Sequence, residues 1–270
     1  MTSNDNLLVT KRNGRGKVSL DIEKIHTMVA YATENITGVS ASHVEMNSGI
    51  QFFDGISTDT IQQILIKSAN DLISLDNPNY QFVAARLLLF SLRKKLFHKL
   101  WEHPTLLEQI NKCVELGVYD KDILNKYTTA EIDRLNGFID HERDYNFTYA
   151  GLRQVMDKYL VQDRSNGQVF ETPQFMYMLI AMTLFRNYDV EDGRRLDYVK
   201  KYYDAISTYK INIPTPIMSG VRTPLRQFAS CVLVDVDDSL DSIFSSDMAI
   251  GRYVAQRAGI GINAGRVRGL

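Results

Sequence analysis

One cysteine stands inside a segment with the pattern of a strand, "RQFASCVLVD" (226–235). Neighbouring side chains alternate along this segment with period 2, which is typical of a strand and sends Ser230 and Cys231 to opposite faces unless a bulge intervenes. The thiol could take part in chemistry, or it could be an ordinary small buried side chain. From the strand pattern alone, the ordinary buried thiol is the favoured interpretation.

The only other cysteine of the sequence is Cys113. It follows Ile110 by three residues on the apolar stripe of a predicted helix, so we expect a small buried hydrophobe. Two cysteines in different structural units cannot form a disulfide framework for 270 residues, and reduced thiols are expected.

Basic residues cluster in "LLVTKRNGRGKVSL" (7–20), where Asn13-Gly14 suits the tight turn of a β-hairpin. Lysines of this hairpin, together with Lys94 on a later helix, could hold a nucleoside triphosphate through charge-assisted hydrogen bonds. A solvated basic turn explains the same composition and is favoured when the cluster is taken alone.

Two further segments could approach a ligand. In "DVDDSLDSIF", Asp238 and Ser239 stand at a helix N-terminus, where they either cap the helix or assist phosphate and ribose binding. In "AGIGINAG", three glycines permit close backbone approach, but the spacing does not match the GxGxxG pattern of a Rossmann site. The cap and the simple turn are the favoured interpretations of these segments alone.

Composition restricts the classes of partner. Thirty-one basic and 32 acidic residues leave a net charge of −1, so no overall field attracts nucleic acid or an anionic membrane. The N-terminus lacks the apolar core of a signal peptide, and no apolar run approaches the roughly 20 residues of a membrane span. The five histidines lack metal-site spacing. A cytoplasmic protein without a metal site of its own is expected, in a bacterium or encoded by a bacteriophage and acting in the host cytoplasm.

The pattern of elements predicts three parts. After the first hairpin come four helices, at about 21–36, 42–52, 58–74 and 78–99. Further helices follow, with a second Asn-Gly hairpin at Asn166-Gly167 and a Thr172-Pro173 helix start before an all-round apolar helix. Three of the six prolines fall between 214 and 224, which predicts a boundary that blocks helix and leads into a βαβ unit.

Six segments together carry a resemblance: "LLVTKRNG", "FFDGISTDTIQQILIKSANDLI", "NYQFVAARLLLFSLRKK", "PTPIMSGVRTPLRQFASCV", "DDSLDSI" and "QRAGIGINAGRVR". These segments closely resemble the class Ia ribonucleotide reductase large subunit, and the resemblance runs in the same order along the chain from about residue 6 to 270. The resemblance implies a mainly α chain in three domains. Residues 1–100 would form an ATP-cone, which is a helical bundle capped by a small β-hairpin. Residues 101–220 would form a helical domain, and residues 221–270 would form the first βα units of a ten-stranded α/β barrel.

The resemblance also implies two allosteric sites. The overall activity site, which takes ATP as activator or dATP as inhibitor, matches Lys11, Lys17, Lys24, Thr58 and Lys94. Gln62 stands where relatives often carry a histidine. The specificity site, which takes a deoxynucleoside triphosphate at a dimer interface, matches Asp238, Ser239, Leu240 and Arg268.

For the ribonucleoside diphosphate substrate, the resemblance implies binding by Thr215, Ser230, Cys231 and Gly259. Cys231 corresponds to one of two reducing cysteines, which end as a disulfide after a thiyl radical has removed the 3′ hydrogen and the 2′ hydroxyl has left as water. Cys113 does not match the second reducing cysteine. That cysteine and the thiyl-forming one would lie after Leu270, so the chain alone is expected to be inactive.

The open βαβ edge favours a naturally split large subunit, completed by a second polypeptide that carries the remaining strands. A laboratory truncation is the competing explanation. The other partners implied are a second large-subunit copy, a small subunit with a di-iron tyrosyl radical, and thioredoxin or glutaredoxin. Two other functions stay open, a non-catalytic ATP/dATP-sensing regulatory module and a helical scaffold protein.

Overall fold

The computed structural model describes residues 7–11, 16–49, 51–188, 193–256 and 258–269. The helices are α1 (Ile22–Thr33), α2 (Ala41–Gly49), α3 (Thr58–Asp71), α4 (Tyr80–Phe97), α5 (Leu106–Glu115), α6 (Asp122–Lys126), α7 (Thr129–Asn136), α8 (Tyr149–Gln154), α9 (Pro173–Phe185), α10 (Arg195–Ser207), α11 (Thr215–Gly220) and α12 (Leu240–Ala255). The strands are β1 (Leu8–Thr10), β2 (Lys17–Ser19), β3 (Gln162–Asp163), β4 (Gln168–Val169), β5 (Cys231–Asp235) and β6 (Gly259–Asn263).

The chain forms two compact units. The first unit comprises Met1–His103 and Asp140–Asp157, and the second comprises Pro104–Ile139 and Lys158–Leu270. The predicted domain limits at about residues 100 and 220 stay predictions.

The first unit contains the predicted hairpin and all four predicted helices. Strands β1 and β2 pair antiparallel with Val9 opposite Val18, whereas the Asn13-Gly14 turn lies outside the described residues. On its other edge β1 bonds the segment before α3, through Thr10 N to Ile56 O at 2.9 Å. Because of these bonds, the hairpin is fixed next to the N-terminus of α3.

Helix α4 forms the centre of the first unit. Its apolar residues are buried on nearly all sides, and it packs against α1, α3 and α8. Arg93 of α4 is buried with Asp144, at 3.5 Å between Nη2 and Oδ2, and it donates to His141 O at 2.8 Å. The segment 140–157 therefore returns to this unit through a charged contact.

The second unit begins with helices whose starts follow local signals. In α5 and α7, Thr105 and Thr128 form capping boxes with the glutamates three residues on. The predicted second hairpin is confirmed as β3–β4, with Gly167 at φ +73°. Helix α9 is buried along Pro173–Thr183 and packs on α10. It begins at Pro173 as predicted, but the Thr172 side chain makes no capping hydrogen bond.

The proline-rich segment differs from the prediction. It contains the short helix α11, where the prolines were expected to block helix. Pro214 precedes the helix and Pro216 lies in its first turn, where no intrahelical amide donor is needed, so both are tolerated.

The predicted βαβ unit is confirmed. Strands β5 and β6 pair in parallel, from Cys231 opposite Gly259 to Asp235 opposite Asn263, with α12 as the crossover. The described part of this unit buries only Val236, Ser246 and Ala258, whereas Leu233 is 87% exposed. No helix in the described ranges is both long enough and apolar enough to span a bilayer.

Candidate functional site

A cavity of about 210 Å³ lies in the first unit between the hairpin, the start of α1, the start of α3 and the end of α4. Four of the five residues predicted for the activity site line it, namely Lys11, Lys24, Thr58 and Lys94. Residues from four separate elements thus meet in one space. Lys17 is not among the lining residues, and its Nζ lies 3.8 Å from the position that a Cβ on Gly55 would take.

The polar side of this cavity is positively charged. Its lining contains three lysines and one carboxylate, that of Asp21. Lys24 Nζ lies 2.8 Å from Asp21 Oδ2, and hydrogen bonds from Lys24 lower the pKa of Asp21 below its ordinary value. The first turn of α3, which begins at Thr58, adds a helix N-terminus. This arrangement suits a polyphosphate.

Other residues of the cavity lining are apolar. Ile25, Met28 and Ile61 are among them, and Lys94 Nζ approaches Met28 Sδ at 3.9 Å. Gln62 also lines the cavity, and its Nε2 donates to Leu87 O at 2.9 Å. A ligand with a flat apolar part and a polyanionic part matches the apolar and the lysine residues of this lining.

The four residues predicted for the specificity site meet at the N-terminus of α12. Ser239 caps the helix by accepting from Ser242 N at 3.1 Å, and Leu240, its first residue, is 70% exposed. Arg268 Nε lies 3.0 Å from Asp238 Oδ2. A phosphate could draw Arg268 away from Asp238, whose carboxylate would then be able to accept from a sugar hydroxyl.

A second arginine holds the same loop and was missed by the sequence interpretation. Arg266 Nη2 lies 2.9 Å from Asp235 Oδ2, and its Nη1 lies 3.1 Å from Asp237 Oδ1. Its hydrogen bond to Asp237 and the charge of Asp235 raise the pKa of Arg266. The only local signal for this pairing is that two arginines, Arg266 and Arg268, follow β6 and several acids follow or end β5.

Three of the four predicted substrate-binding residues lie together at the start of the β5–β6 ladder. Cys231 is opposite Gly259, and Gly259 N donates to Ser230 O at 2.8 Å. A Cβ on Gly259 would stand 3.8 Å from Cys231 Sγ, so the glycine leaves space beside the sulfur. Thr215 lies on a different element, as the first residue of α11.

The two cysteines differ in their surroundings. Cys231 is exposed, against the simplest expectation for a strand cysteine. Cys113 is fully buried, as predicted, and burial raises the pKa of its thiol to about 12. A neutral thiol in the core cannot react as a thiolate at neutral pH. Only Cys231 is available for thiol chemistry.

Comparisons with known proteins match the same segments. Residues 7–95 match the ATP cone domain, residues 145–226 match the ribonucleotide reductase all-alpha domain, and residues 229–270 match the ribonucleotide reductase barrel domain. Ribonucleoside-diphosphate reductase 1 subunit alpha is 54% identical in Salmonella typhimurium and 53% in Escherichia coli, in each case over 267 residues. The chain belongs to the ribonucleotide reductase large-subunit family.

The match is to the N-terminal part of these large subunits. The 267 aligned residues are 99% of this chain and 35% of each bacterial relative. The alpha subunit of Enterobacteria phage T4 is 45% identical over 252 residues, which are 93% of this chain and 32% of that protein. The chain therefore spans about a third of the length of the curated relatives it matches.

The large-subunit domains coincide with the sites described above. The cavity lies within the ATP cone match, Thr215 within the all-alpha match, and Cys231 two residues into the barrel match. In the described ranges, no group of three or more His, Cys, Asp or Glu side chains could hold a metal ion.

Proposed function

We propose that this chain supplies the nucleotide-sensing part and one face of the substrate site of a ribonucleoside-diphosphate reductase. The observation that carries the proposal is the convergence of Lys11, Lys24 and Lys94 on one cavity inside the segment that matches the ATP cone domain. Because like charges repel, an anion bound among these three lysines would lower their mutual repulsion.

ATP and dATP are the proposed ligands of the cavity. The lysines and the N-terminus of α3 would hold the phosphates, and the apolar lining residues Met28 and Ile61 would hold the base. Lys17, above Gly55, would reach the phosphates from outside the lining. Binding at this site would set the overall activity.

The test of this proposal is calorimetric titration of the full chain with ATP and with dATP. Lys94→Ala should weaken binding about tenfold or more, since it removes a charge-assisted hydrogen bond. Lys95→Ala is the matched control, because Lys95 follows Lys94 on α4, pairs with Asp59 at 3.7 Å and is not among the lining residues. Equal losses in the two variants, or unchanged binding in Lys94→Ala, would refute the proposed cavity.

For the substrate, we propose that Thr215, Ser230 and Gly259 hold the diphosphate and that Cys231 gives up its thiol hydrogen. The reduction breaks the C2′–O bond and forms a C2′–H bond, with water as the second product. The two electrons come from two thiols that join in a disulfide. Cys113 lies in the core, so the second thiol must come from residues other than these 270.

The exposed apolar surface supports completion of the barrel. Leu233 and Phe244 are 87% and 66% exposed, and large exposed apolar side chains on so small a unit favour an interaction surface. We propose that the remaining barrel strands cover it, either later in the same polypeptide or on a second chain that associates without a covalent link. Activity would require this completion.

The α12 N-terminus, with Asp238, Ser239, Leu240 and Arg268, is the proposed specificity site for a deoxynucleoside triphosphate. Partners proposed from the family are a second large-subunit copy, a radical-bearing small subunit that holds the di-iron centre, and thioredoxin or glutaredoxin for the disulfide. The bacterial and phage origin of the relatives supports a cytoplasmic location.

A further inference from the structure

A buried ion pair connects the elements that carry Thr215 and Cys231. Glu171 and Arg222 both have fully buried side chains, and Arg222 Nε lies 3.1 and 3.0 Å from the two carboxylate oxygens. Arg222 Nη2 also donates to Glu171 Oε1. Arg222 is seven residues after Thr215 and nine before Cys231, so it lies between the two predicted substrate-site elements.

The pair is saturated with hydrogen bonds to distant segments. Arg222 donates to Met218 O on α11 at 2.6 Å and to Tyr159 O at 2.8 Å. Glu171 accepts from the Tyr119 hydroxyl at 2.6 Å and from Val161 N at 2.7 Å. An apolar pair of equal volume could not bond these backbone groups, so the charges select a single arrangement of the segments around them.

The segment from Arg222 to the cysteine strand is held by two further contacts. The carbonyl of Arg222 accepts from Asp120 N at 2.9 Å, and Arg226 Nη2 lies 2.7 Å from Asp120 Oδ2. Gln227 then brackets the backbone of Ala229, donating to its carbonyl at 3.1 Å and accepting from its amide at 2.5 Å. Contacts with Asp120 thus hold this segment as far as Arg226, and the Gln227–Ala229 bonds stiffen it from there to two residues before Cys231.

The βαβ unit beyond this segment has little core of its own. Its described residues bury only Val236, Ser246 and Ala258, so its own packing constrains the start of β5 weakly. In this chain by itself, the segment before β5 therefore sets the direction in which Cys231 enters the strand, and the strands proposed to complete the barrel would add to this constraint.

We propose that Glu171 and Arg222 are positioning residues for the substrate site, fixing where Cys231 stands relative to Thr215. This inference rests on the proposed function, in which Thr215 and Cys231 belong to the substrate site. The hydrogen bonds of the pair in the described part of the chain reach Tyr119, Tyr159, Val161 and Met218, and not Thr215 or Cys231. The pair acts through α11 on one side and through segment 222–229 on the other.

The test compares two ion pairs of the same unit, the fully buried Glu171–Arg222 pair and the Glu131–Arg195 pair, in which the Glu131 side chain is 27% exposed. Glu171→Gln removes the charge at the proposed positioning pair. Glu131→Gln is the matched control, because Glu131 pairs with Arg195 at 2.5 Å between α7 and α10, away from the segment 215–231. Both changes weaken an ion pair of the second unit, but only the first should disturb Cys231.

The first readout needs no catalysis. A trifluoromethyl probe attached to Cys231 reports its surroundings by fluorine NMR, and Cys113 does not react because it is buried. The native chain and Glu131→Gln should give the same single resonance, whereas Glu171→Gln should broaden it or add a second one. Tyr119→Phe, which removes one hydrogen bond to Glu171, should broaden the resonance less or add a weaker second one, and it replaces Glu171→Gln if that variant does not fold.

The second readout is turnover by the completed reductase with its radical-bearing subunit. Glu171→Gln should lower kcat/KM by about tenfold to a hundredfold, as expected for displaced reacting groups, and Glu131→Gln should not. The proposal is overturned if the native resonance persists in Glu171→Gln and Tyr119→Phe, or if Glu171→Gln and Glu131→Gln lose equal kcat/KM. If the unsubstituted reductase reduces no ribonucleoside diphosphate, the proposed function fails, while the resonance comparison still decides the positioning role.

Discussion

The cavity of the first unit and the cysteine strand of the second unit provide binding groups in opposite ways. The cavity lies beside α3 and α4, whose apolar residues Leu65, Leu87 and Leu89 are fully buried. The strand belongs to a βαβ unit in which Leu233 and Leu240 are mostly exposed. The cavity is thus supported by the packed core of its own unit. The cysteine strand depends instead on the contacts of the segment before it and on surfaces that would cover it.

The largest expected effect separates these two kinds of support. Leu87→Ala should lower the free energy of unfolding of the first unit by about 2–5 kcal/mol, because it opens a cavity in a packed core. Leu233→Ala should change stability by less than about 0.5 kcal/mol, because the side chain is already exposed.

Urea unfolding can measure the first unit by itself, because the only tryptophan, Trp101, belongs to it and packs against Tyr31 and Phe90 at 4.8 and 5.4 Å between ring centroids. Circular dichroism reports both units. If Leu233→Ala lowered the free energy of unfolding as much as Leu87→Ala does, Leu233 would belong to a packed core. That result would contradict the comparison of the two regions.

A second effect should appear on acidification between pH 7 and 5, and only in the first unit. The imidazoles of His103 and His141 stack at 3.8 Å, and burial followed by nearby positive charge lowers the pKa of His103 to about 4 and that of His141 to about 3. The unfolded chain takes up these protons below its ordinary pKa of about 6.5, so stability should be full above that pH. It should fall as pH drops from about 6.5 toward 4, by up to about 1.4 kcal/mol per pH unit for each imidazole.

Urea unfolding followed by Trp101 fluorescence between pH 7 and 5 measures this slope. The double variant His103→Gln with His141→Gln should flatten it, which separates the pair from other titrating groups. The second unit contains no histidine and provides the internal comparison. A slope that survives the double substitution would contradict the assignment to this pair.

Local sequence signals predicted the elements of both regions, whereas Lys11, Lys24, Thr58 and Lys94 of the cavity were predicted from the resemblance to the large-subunit family. Period-3.6 patterns and the caps before α3 and α7 depend on neighbouring residues, so they can be read from the chain directly. The Arg222–Glu171 pair joins residues 51 apart, and Arg93 holds Asp144 across a similar separation. No local pattern specifies such partners, because many arginines and acids could pair, and the fold alone brings these together.

The sequence interpretation was also wrong about the proline-rich segment, because the position of a proline within a helix decides whether the helix can form. Prolines 214 and 216 were taken as a block to helix, but at the first turn they remove no bond. Arg266 was overlooked because its acidic partners lie on β5 and in the loop that follows it, about 30 residues earlier in the chain. Asp21, Met28 and Ile61 were not predicted as site residues, and they also serve the fold, Asp21 as the cap of α1 and the other two as buried core.

The central claim is that the cavity binds nucleotide with this chain alone, whereas Cys231 becomes a reducing group only in the completed reductase. The direct test is formation of deoxyribonucleoside diphosphate by the reductase assembled from this chain, the remaining barrel residues and the radical-bearing subunit. Cys231→Ser should abolish turnover and leave ATP binding unchanged, while Cys113→Ser, the matched buried control, should retain turnover. Turnover at the native rate by Cys231→Ser, or equal loss in both variants, would contradict the account.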